Sequence, residues 1–412
     1  MTFASVSVVV VSRDRPVELR RCVVGLMQVQ YAPFEIIVVA DAAGCQALAE
    51  TPWDALIKIV EFDEPNISKA RNLGISHAAG DIVAFIDDDA VPEPSWLSQL
   101  IAPMREPHVG AVGGFVRGRN GISFQWAARS VDPTGATEPL DVDPKQATVF
   151  SPKGARAIKT EGTNMAVRRD ILLELEGFDP AFAFYLDETD LNLRLARAGH
   201  ATAIVPMAEV HHGFAASVRR RADRVPRDLF DIGASCAVFQ RKHMPARKHM
   251  AHWRDMCRTE RARLIGHMVA GRLLPGDVTR LMRRLAMGYE QGMTRQRGGA
   301  QLSQSPVSPF RPLPFTARPS VVLTGRIWQR AALRAEAARR AKNGEIVTLI
   351  LLSFTGLYHH VRFDPDGYWE QSGGLFGRSV RDTSVLRFYT MSKRFNLEVD
   401  RVSAQRLIGR SY

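Results

Sequence analysis

Three adjacent carboxylates, Asp87, Asp88 and Asp89, directly follow the apolar run at residues 82–86. Like charges held this close repel one another, and a divalent cation is the usual source of relief. Mg²⁺ and Mn²⁺ prefer oxygen ligands and bridge protein carboxylates to phosphate oxygens. A solvated acidic turn is the alternative, and it would suit an isolated triplet. The position after an apolar strand favours a metal site.

A second acidic group, Asp187 and Glu188, lies on the first turn of a helix predicted at residues 187–198. Carboxylates at a helix N-terminus are stabilised by the helix dipole, which accounts for part of the cluster. Asp190 has a structural explanation, because Arg194 lies four residues later on the same helix face. Asp187 and Glu188 remain able to face a cleft, where a carboxylate can take a proton from a hydroxyl as general base.

Three further residues follow predicted strands, and each has a structural alternative. His211 and His212 come after a strand at residues 203–210, and a neutral imidazole can bind a metal. A lone histidine is more often a surface or core residue, so this interpretation depends on the two acidic groups. Asp41 ends a strand at residues 34–40, where it either accepts a hydrogen bond from a nucleobase or ribose or shapes a turn.

The elements that would position these side chains form a parallel α/β pattern. β-Branched runs at residues 6–11 and 34–40 flank an amphipathic segment, which predicts a β-α-β opening with strands buried on both faces. Ligands bind outside the carboxyl ends of strands in such sheets. Further strands are predicted at 56–62, 82–86, 109–116 and 203–210, and helices at 68–79, 95–104 and 187–198, with Ser68 and Ser95 as candidate N-caps.

Composition narrows the class of protein. The net charge of +12 favours anionic partners such as nucleotide diphosphates, anionic lipid or nucleic acid, without choosing among them. Four scattered cysteines with no CxxC pair predict reduced thiols in a cytosol-like compartment. The longest apolar run, at residues 346–354, is far below the roughly 18 to 20 residues of a membrane span. No GxGxxG, GxxxxGK[ST] or GxSxG motif is present.

The character of the chain changes after the first half. We expect a first domain at residues 1–217, an arginine-rich helical extension at 218–297, a Pro/Gly/Ser-rich linker at 298–320 and an accessory segment of unknown role at 321–412. An arginine cluster begins the extension and either meets phosphates or anionic lipid or forms a solvated helix face. Its members are Arg219, Arg220, Arg221, Arg224 and Arg227.

Several ordered pieces of residues 6–217 resemble the family 2 glycosyltransferases, which have the GT-A fold. The pieces are VSVVVVSRDR at 6–15, FEIIVVAD at 34–41, SKARNLGISHAAGDIVAFIDDD at 68–89, GTNM at 162–165 with GFD at 177–179, and YLDETDLNLRLARAG at 185–199. The resemblance implies an α/β, Rossmann-like, mostly parallel sheet flanked by helices. A helical C-terminal extension and a small C-terminal α+β segment would follow.

The resemblance also implies an activity and site residues. An inverting enzyme would transfer a sugar from a nucleotide-diphosphate-sugar to an acceptor hydroxyl in polysaccharide or glycolipid biosynthesis, with Mg²⁺ or Mn²⁺ as cofactor. Glu188 holds the place of the family's usual aspartate base, with Asp187 before it. The other implied residues are Asp41, Arg71, Asp87 and Asp88 for the donor, Asp89, Asp87 and His211 for the metal, and Gly162 and Asn164 on the acceptor side.

The expected partners are a nucleotide-diphosphate sugar and a carbohydrate or lipid-linked glycan, with no nucleic acid. The expected location is cytoplasmic, with peripheral contact at the inner face of the membrane. Two alternatives remain. A sugar nucleotidyltransferase would carry a Gly-rich basic loop after the first strand, and residues 12–16 contain no glycine. A non-catalytic basic protein that binds nucleic acid or membrane would leave both acidic groups unexplained.

Overall fold

The computed structural model describes residues 4–381 and 387–409 of the chain. The described helices are α1 Pro16–Leu26, α2 Ala42–Ala49, α3 Ile67–His77, α4 Trp96–Leu100, α5 Arg169–Glu174, α6 Asp187–Arg197, α7 Phe230–His243, α8 Ala246–Val269, α9 Pro275–Thr294, α10 Arg330–Lys342 and α11 Met391–Arg406. The described strands β1 to β10 are Val6–Ser12, Phe34–Ala40, Lys58–Glu61, Ile82–Asp87, Ala90–Pro92, Val109–Arg117, Phe124–Trp126, Arg129–Val131, Thr137–Pro139 and Thr148–Phe150. Strands β11 to β17 are Ala157–Lys159, Met165–Arg168, Ala201–His212, Ser320–Arg326, Ile346–Ser353, His360–Phe363 and Trp369–Gly374.

The central sheet has the order β10-β13-β6-β12-β4-β1-β2-β3, with β5 paired to β13 and β7 to β6. Strands β3, β2, β1 and β4 run parallel, and β13 runs parallel to β6. The intervening β12 is antiparallel to both β4 and β6. The carboxyl ends of β1, β2 and β4 therefore meet at one edge, where the loops after Ser12, Ala40 and Asp87 lie side by side.

Alternation along β1 explains why its sequence is continuously apolar. Val6, Val8 and Val10 belong to the core on one face of the sheet, whereas Val9 belongs to the core on the other face. Helices cover both faces, so a strand with polar residues on either side would lose favourable burial. The predicted α/β class, with a helical extension and a small α+β segment, is confirmed.

Two helices differ from the sequence prediction, one at its N-cap and the other at its C-terminal end. The N-cap of α3 is Asn66, whose side chain accepts a hydrogen bond from Lys69 N at 3.0 Å, and not Ser68. Ser68 instead donates its hydroxyl proton to the carbonyl oxygen of Phe182 at 2.7 Å. The helix predicted at 95–104 ends at Leu100 and gives way to a 3₁₀ turn, and Ser95 makes no side-chain cap. Pro103 explains the break, because proline has no amide hydrogen for the helical bond to residue 99 and its ring clashes with that carbonyl.

The region beyond the first domain folds back onto it. Residues 298–320, predicted as a linker, run along the domain, where Arg311 N donates to Glu35 Oε2 and Leu313 N to Phe34 O, both at 2.8 Å. Strands β14, β15 and β17 form a parallel sheet, and β16 joins antiparallel to β17. All four cysteines are free. Over the described ranges, no helix combines the length and hydropathy that crossing a bilayer requires.

Candidate active site

The acidic triplet lies in the turn between β4 and β5, at the carboxyl edge of the central sheet. Asp87 is partly exposed, whereas Asp88 and Asp89 are buried. Asp88 points inward, where it accepts a hydrogen bond from Ser12 Oγ at 2.7 Å and lies 3.0 Å from Arg15 Nη2. Asp89 lies 3.3 Å from Arg15 Nη1, so one guanidinium is shared between both carboxylates.

The two buried aspartates have opposite electrostatic environments. Burial raises the pKa of Asp88 to about 8, against the opposing charge of Arg15. Burial also disfavours the charged form of Asp89, but hydrogen bonds from His212 and from Ala215 N, together with Arg15, hold its pKa well below the usual range. Asp89 is therefore the ionised ligand candidate, and Asp88 supports the turn.

His212 completes a group that can hold a cation. Its Nε2 lies 3.1 Å from Asp89 Oδ1, and one ligand atom from each of Asp87, Asp89 and His212 lies within 4.8 Å of the others. Carboxylate oxygens with one imidazole suit Mn²⁺ and Mg²⁺, so the donor set fits the predicted divalent cation. Burial lowers the pKa of His212, but the hydrogen bond and charge of Asp89 raise it overall.

The predicted ligand His211 lies on the opposite face of β13. Its Nε2 is 2.8 Å from Glu93 Oε1, away from the triplet. We expected the strand to end at residue 210, but it runs to His212, and side chains alternate between the faces of a strand. On this geometry His212, and not His211, is the histidine beside the candidate metal ligands.

Arg71 joins the two acidic groups. Its buried guanidinium pairs with Asp187 through Nη1, and its Nη2 lies 3.4 Å from Asp87 Oδ1. Gly162 makes room for it, because a Cβ at that position would lie 2.2 Å from Arg71 Nη2. The sequence assigns Arg71 to the donor side and Gly162 to the acceptor side. In the structure the two residues lie against each other.

Asp187 and Glu188 begin α6 with different partners. Glu188 Oε1 accepts a hydrogen bond from Lys159 Nζ at 2.7 Å. Burial works against the Glu188 charge, but Lys159 outweighs it and lowers the pKa of Glu188 to about 2. Burial raises the pKa of Asp187 to about 7, with Glu188 adding to the rise and Arg71 opposing it. Asp190 pairs with Arg194 at 2.8 Å, which is the predicted structural pair.

Two of the predicted site residues, Asp41 and Asn164, form hydrogen bonds with the backbone. Asp41 caps α2: its Oδ1 accepts from Gly44 N at 3.0 Å, and its Oδ2 accepts from Asp14 N at 2.8 Å. Asn164 is fully buried and donates to Phe115 O and Ala208 O. Both residues thus shape the loops and strands around the site through contacts within the protein.

Several side chains at the site were missed from the sequence. Thr163, between the two predicted residues Gly162 and Asn164, donates its hydroxyl to Asp87 Oδ2. Arg15 ends the piece VSVVVVSRDR at 6–15 and carries no role in the sequence prediction, although its charge beside a strand end is a usable signal. Lys159 lies outside every predicted helix and strand, so no signal marks it.

Comparisons with known proteins identify the family of the chain. Residues 4–229 match the model of the family described as Glycosyltransferase like family 2. The chain is 30% identical over 233 residues to the O-antigen biosynthesis protein RfbC of Myxococcus xanthus, covering 54% of this chain and 18% of that protein. It is 28% identical over 182 residues to the glucosyl-dolichyl phosphate glucuronosyltransferase of Haloferax volcanii, covering 42% of this chain and 55% of that protein.

Among solved structures, the mannosyltransferase PcManGT from Pyrobaculum calidifontis in complex with GDP-Man and Mn²⁺ is 17% identical, with a TM-score of 0.43, covering 71% of this chain and 88% of that one. The chain spans less than two-thirds of the length of either curated relative. The family match favours the glycosyltransferase prediction over the nucleotidyltransferase and the non-catalytic alternatives. Because that match covers more than half of its residues, the chain belongs to the Glycosyltransferase like family 2.

Proposed function

We propose that the protein transfers a sugar from a nucleotide-diphosphate-sugar to an acceptor hydroxyl with inversion at the anomeric carbon. The observation that carries the proposal is the position of Arg71, between Asp87 and Asp187. Two acidic groups 100 residues apart in the chain meet at one buried guanidinium. A donor held at the first group is therefore next to a carboxylate able to serve as base in the second.

The donor side of the site is the edge formed by the triplet. Asp87, Asp89 and His212 would hold Mg²⁺ or Mn²⁺, which when bound neutralises negative charge on the departing diphosphate. Arg15 and Arg71 supply fixed positive charge beside the same carboxylates. These cations limit the repulsion between an anionic donor and the acidic turn.

Glu188 is the proposed general base. Its side chain is 18% exposed, whereas that of Asp187 is 3% exposed, so Glu188 is the more accessible to an acceptor. Lys159 orients the carboxylate and keeps it ionised at neutral pH. Asp187 is a positioning residue, because it holds Arg71.

The reaction follows from this arrangement. The acceptor hydroxyl gives its proton to the Glu188 carboxylate while its oxygen forms a bond to the anomeric carbon. The bond from that carbon to the diphosphate oxygen breaks, and its electron pair leaves with the nucleoside diphosphate. Attack from the face opposite the leaving group inverts the configuration.

Substituting the two carboxylates separately tests the assignment. We expect Glu188→Gln to lower kcat by about 10² to 10⁴, the usual contribution of general base catalysis, with donor binding retained. Turnover would be measured with a panel of UDP- and GDP-sugars in Mn²⁺, against Asp187→Asn as the matched neighbour. We expect Asp187→Asn to raise the KM for the donor, because it releases Arg71. Near-normal turnover of Glu188→Gln would contradict the proposal.

The pH profile separates the same two candidates. Since the pKa of Glu188 is lowered to about 2, a Glu188 base stays deprotonated at and above pH 5 and gives no acid limb there. An Asp187 base would lose activity as the pH falls through about 7. Protonation of Asp187 would by itself weaken the hold on Arg71 and raise the KM for the donor, so an acid limb near pH 7 transfers the role of base to Asp187 only if it appears in kcat at saturating donor.

We also propose a carbohydrate or lipid-linked glycan as acceptor, and action at the cytoplasmic face of a membrane. One relative is an O-antigen biosynthesis protein, and another is named for a dolichyl phosphate substrate. Neither nucleic-acid binding nor a nucleic-acid substrate forms part of the proposal.

The turn between α8 and α9 is the proposed membrane contact. Val269 and Leu274, on the two sides of this turn, are 80% and 72% exposed. Residues 246–297 carry twelve Lys and Arg against four Asp and Glu. Arg221 Nη1 donates to Arg272 O at 3.3 Å, which ties the turn to the loop after β13 that also contacts Asp89. Apolar tips flanked by arginines suit an anionic lipid surface.

Vesicle co-sedimentation tests this contact. We expect binding to phosphatidylglycerol vesicles and weak binding to phosphatidylcholine, because the arginines need anionic headgroups. Val269→Ser with Leu274→Ser should weaken binding about tenfold or more, since burying one such side chain contributes about 1.5 to 3 kcal/mol. Val17→Ser, at an equally exposed valine on α1, is the control. Equal binding by the double variant and the control would contradict this surface.

A further inference from the structure

A buried charge network lies on the face of β13 opposite the candidate metal ligands. Glu93 is held by Arg406 of α11 through two contacts of 3.0 Å, one to each carboxylate oxygen. The same carboxylate is 2.8 Å from His211 Nε2. All three side chains are buried. Arg406 is 313 residues from Glu93 in the chain and belongs to the C-terminal segment, to which no role has been given above.

Trp369 of β17 closes the network from the C-terminal side. Its ring centroid is 4.4 Å from Arg406 Cζ and 4.6 Å from the centroid of His211. The backbone is fixed as well, because Ser95 N donates to Gln405 O at 3.0 Å. The end of α11 is therefore attached to the first domain by an ion pair, ring packing and a main-chain hydrogen bond.

The strands that carry this network also carry the candidate metal ligands. In the β5–β13 pairing, His211 lies opposite Val91 and His212 opposite Ala90. Asp89 directly precedes β5, and its carbonyl oxygen accepts from Gly213 N at 2.8 Å. Movement of either strand would change the distance between Asp89 and His212.

This network is better interpreted as a set of ion pairs than as a second metal site. Glu93, Glu209 and His211 do lie close enough to share a cation. Each carboxylate, however, already faces a forked guanidinium, Glu93 with Arg406 and Glu209 with Arg117. Two arginines balance two carboxylates, so the charge that would attract a cation is already neutralised.

We propose that Arg406 is a positioning residue of the active site, which acts through Glu93 and His211 to hold His212 at the distance from Asp89 that cation binding requires. The C-terminal segment then completes the catalytic domain instead of serving as a separate accessory unit. The inference rests on the metal site of the proposed function. Groups hydrogen-bonded directly to metal ligands typically contribute about 10- to 100-fold to metal affinity or activity, and we expect Arg406, which acts one step further away, at the lower end of that range.

The test measures Mn²⁺ binding to the full chain by electron paramagnetic resonance of the free ion. We expect Arg406→Ala to weaken Mn²⁺ binding about tenfold, and Arg406→Lys to recover part of the loss, since lysine restores the charge without the fork. Arg394→Ala is the matched control. Arg394 is another buried arginine of α11, and it contacts His359, Gly377 and Glu398 within the C-terminal segment.

The same set of variants separates a general loss of stability from a loss of positioning at the metal site. Both alanine variants should lower the melting temperature, but only Arg406→Ala should lower Mn²⁺ affinity. In a His212→Ala background, Arg406→Ala should have no further effect on Mn²⁺ affinity. If Arg406→Ala does not fold, Glu93→Gln interrupts the same path with little change in volume, and the same loss of affinity is expected.

Two results would overturn the inference: wild-type Mn²⁺ affinity in folded Arg406→Ala or Glu93→Gln, or an equal loss in Arg394→Ala. Absence of Mn²⁺ binding by the wild type is a different outcome. It would reject the metal site of the proposed function together with this inference.

Discussion

The two faces of β13 carry groups of similar composition with opposite surroundings. Both groups join two carboxylates and one histidine within 4.8 Å: Asp87, Asp89 and His212 on one face, and Glu93, Glu209 and His211 on the other. On the second face each carboxylate is buried and has its own arginine. On the first face Arg15 is shared between Asp88 and Asp89, and Asp87 stays partly exposed.

The comparison shows that the cationic neighbours, and not the ligand types, separate a structural group from a binding group. Around the first face, two guanidinium groups are shared among four aspartates: Arg15 lies between Asp88 and Asp89, and Arg71 lies between Asp87 and Asp187. Because neither Asp87 nor Asp89 is held by a forked arginine, both can still bind a cation. Around the second face two arginines balance two carboxylates, so this group stabilises the contact between α11 and the strands beside it.

The largest expected effect comes from removing the cation that joins the acidic groups. Arg71→Ala would leave the buried carboxylate of Asp187 without its cation and close to Asp87, which costs about 3 to 5 kcal/mol of unfolding free energy. Activity would fall as well. Urea unfolding measures the loss, and Lys69→Ala, at an exposed ion pair on the same helix, is the control with about 0 to 1 kcal/mol. Equal losses of unfolding free energy in Arg71→Ala and Lys69→Ala would show that the ion pairs of Arg71 do not stabilise the fold.

Neutralising one ligand on each face sharpens the contrast. Asp89→Asn should abolish Mn²⁺ binding and lower kcat/KM by about a thousandfold, because losing a metal ligand removes several kcal/mol of charge stabilisation. Glu209→Gln should still bind one Mn²⁺ per chain. Isothermal titration calorimetry gives both the affinity and the number of sites. A wild-type stoichiometry of two would mean that the second face also binds metal.

A smaller expected effect is the loss, at low pH, of the stability that ionised Glu93 gives to the folded state. Burial opposes ionisation of Glu93, but Arg406 and His211 outweigh it and lower its pKa from 4.5 to about 2. A lowered pKa stabilises the folded state above pH 4.5, by about 3 kcal/mol, and this contribution is lost as the pH falls toward 2.

Urea unfolding of Glu93→Gln and wild type at pH 7 and pH 3 checks this linkage. The variant should be the less stable at pH 7, and the gap should narrow at pH 3. Glu290→Gln, at an exposed position on α9, should show no such change. A gap that is constant with pH would mean that Glu93 is held by packing and not by its charge.

Much of the fold and the acidic half of the site could be predicted from sequence, because local patterns determine both. The β-branched runs at β1 and β2 predict strands buried on both faces, and polar residues directly after such strands must meet at the carboxyl edge. Asp87, Asp187 and Arg71 therefore come together as the family resemblance implied.

The rest depends on contacts with no local signal. Which histidine lies beside Asp89 depends on the alternation of side chains along β13, and β13 extends two residues past its predicted end because β5 pairs with it. Lys159 contacts Glu188 from a strand that the sequence does not predict. Arg406 contacts Glu93 across 313 residues, and such a distance leaves no trace in spacing.

The path of residues 298–320 has a consequence for fragments of this protein. Leu313 is part of the main core beside the first strands, although it lies 84 residues beyond the end of the family match. The sequence family and the folding unit thus have different boundaries. A fragment stopped at residue 229 would expose the apolar groove that Leu313 fills and would remove one hydrogen bond from buried Glu35. We therefore expect stable expression of the catalytic half alone to need at least the polypeptide up to this returning segment.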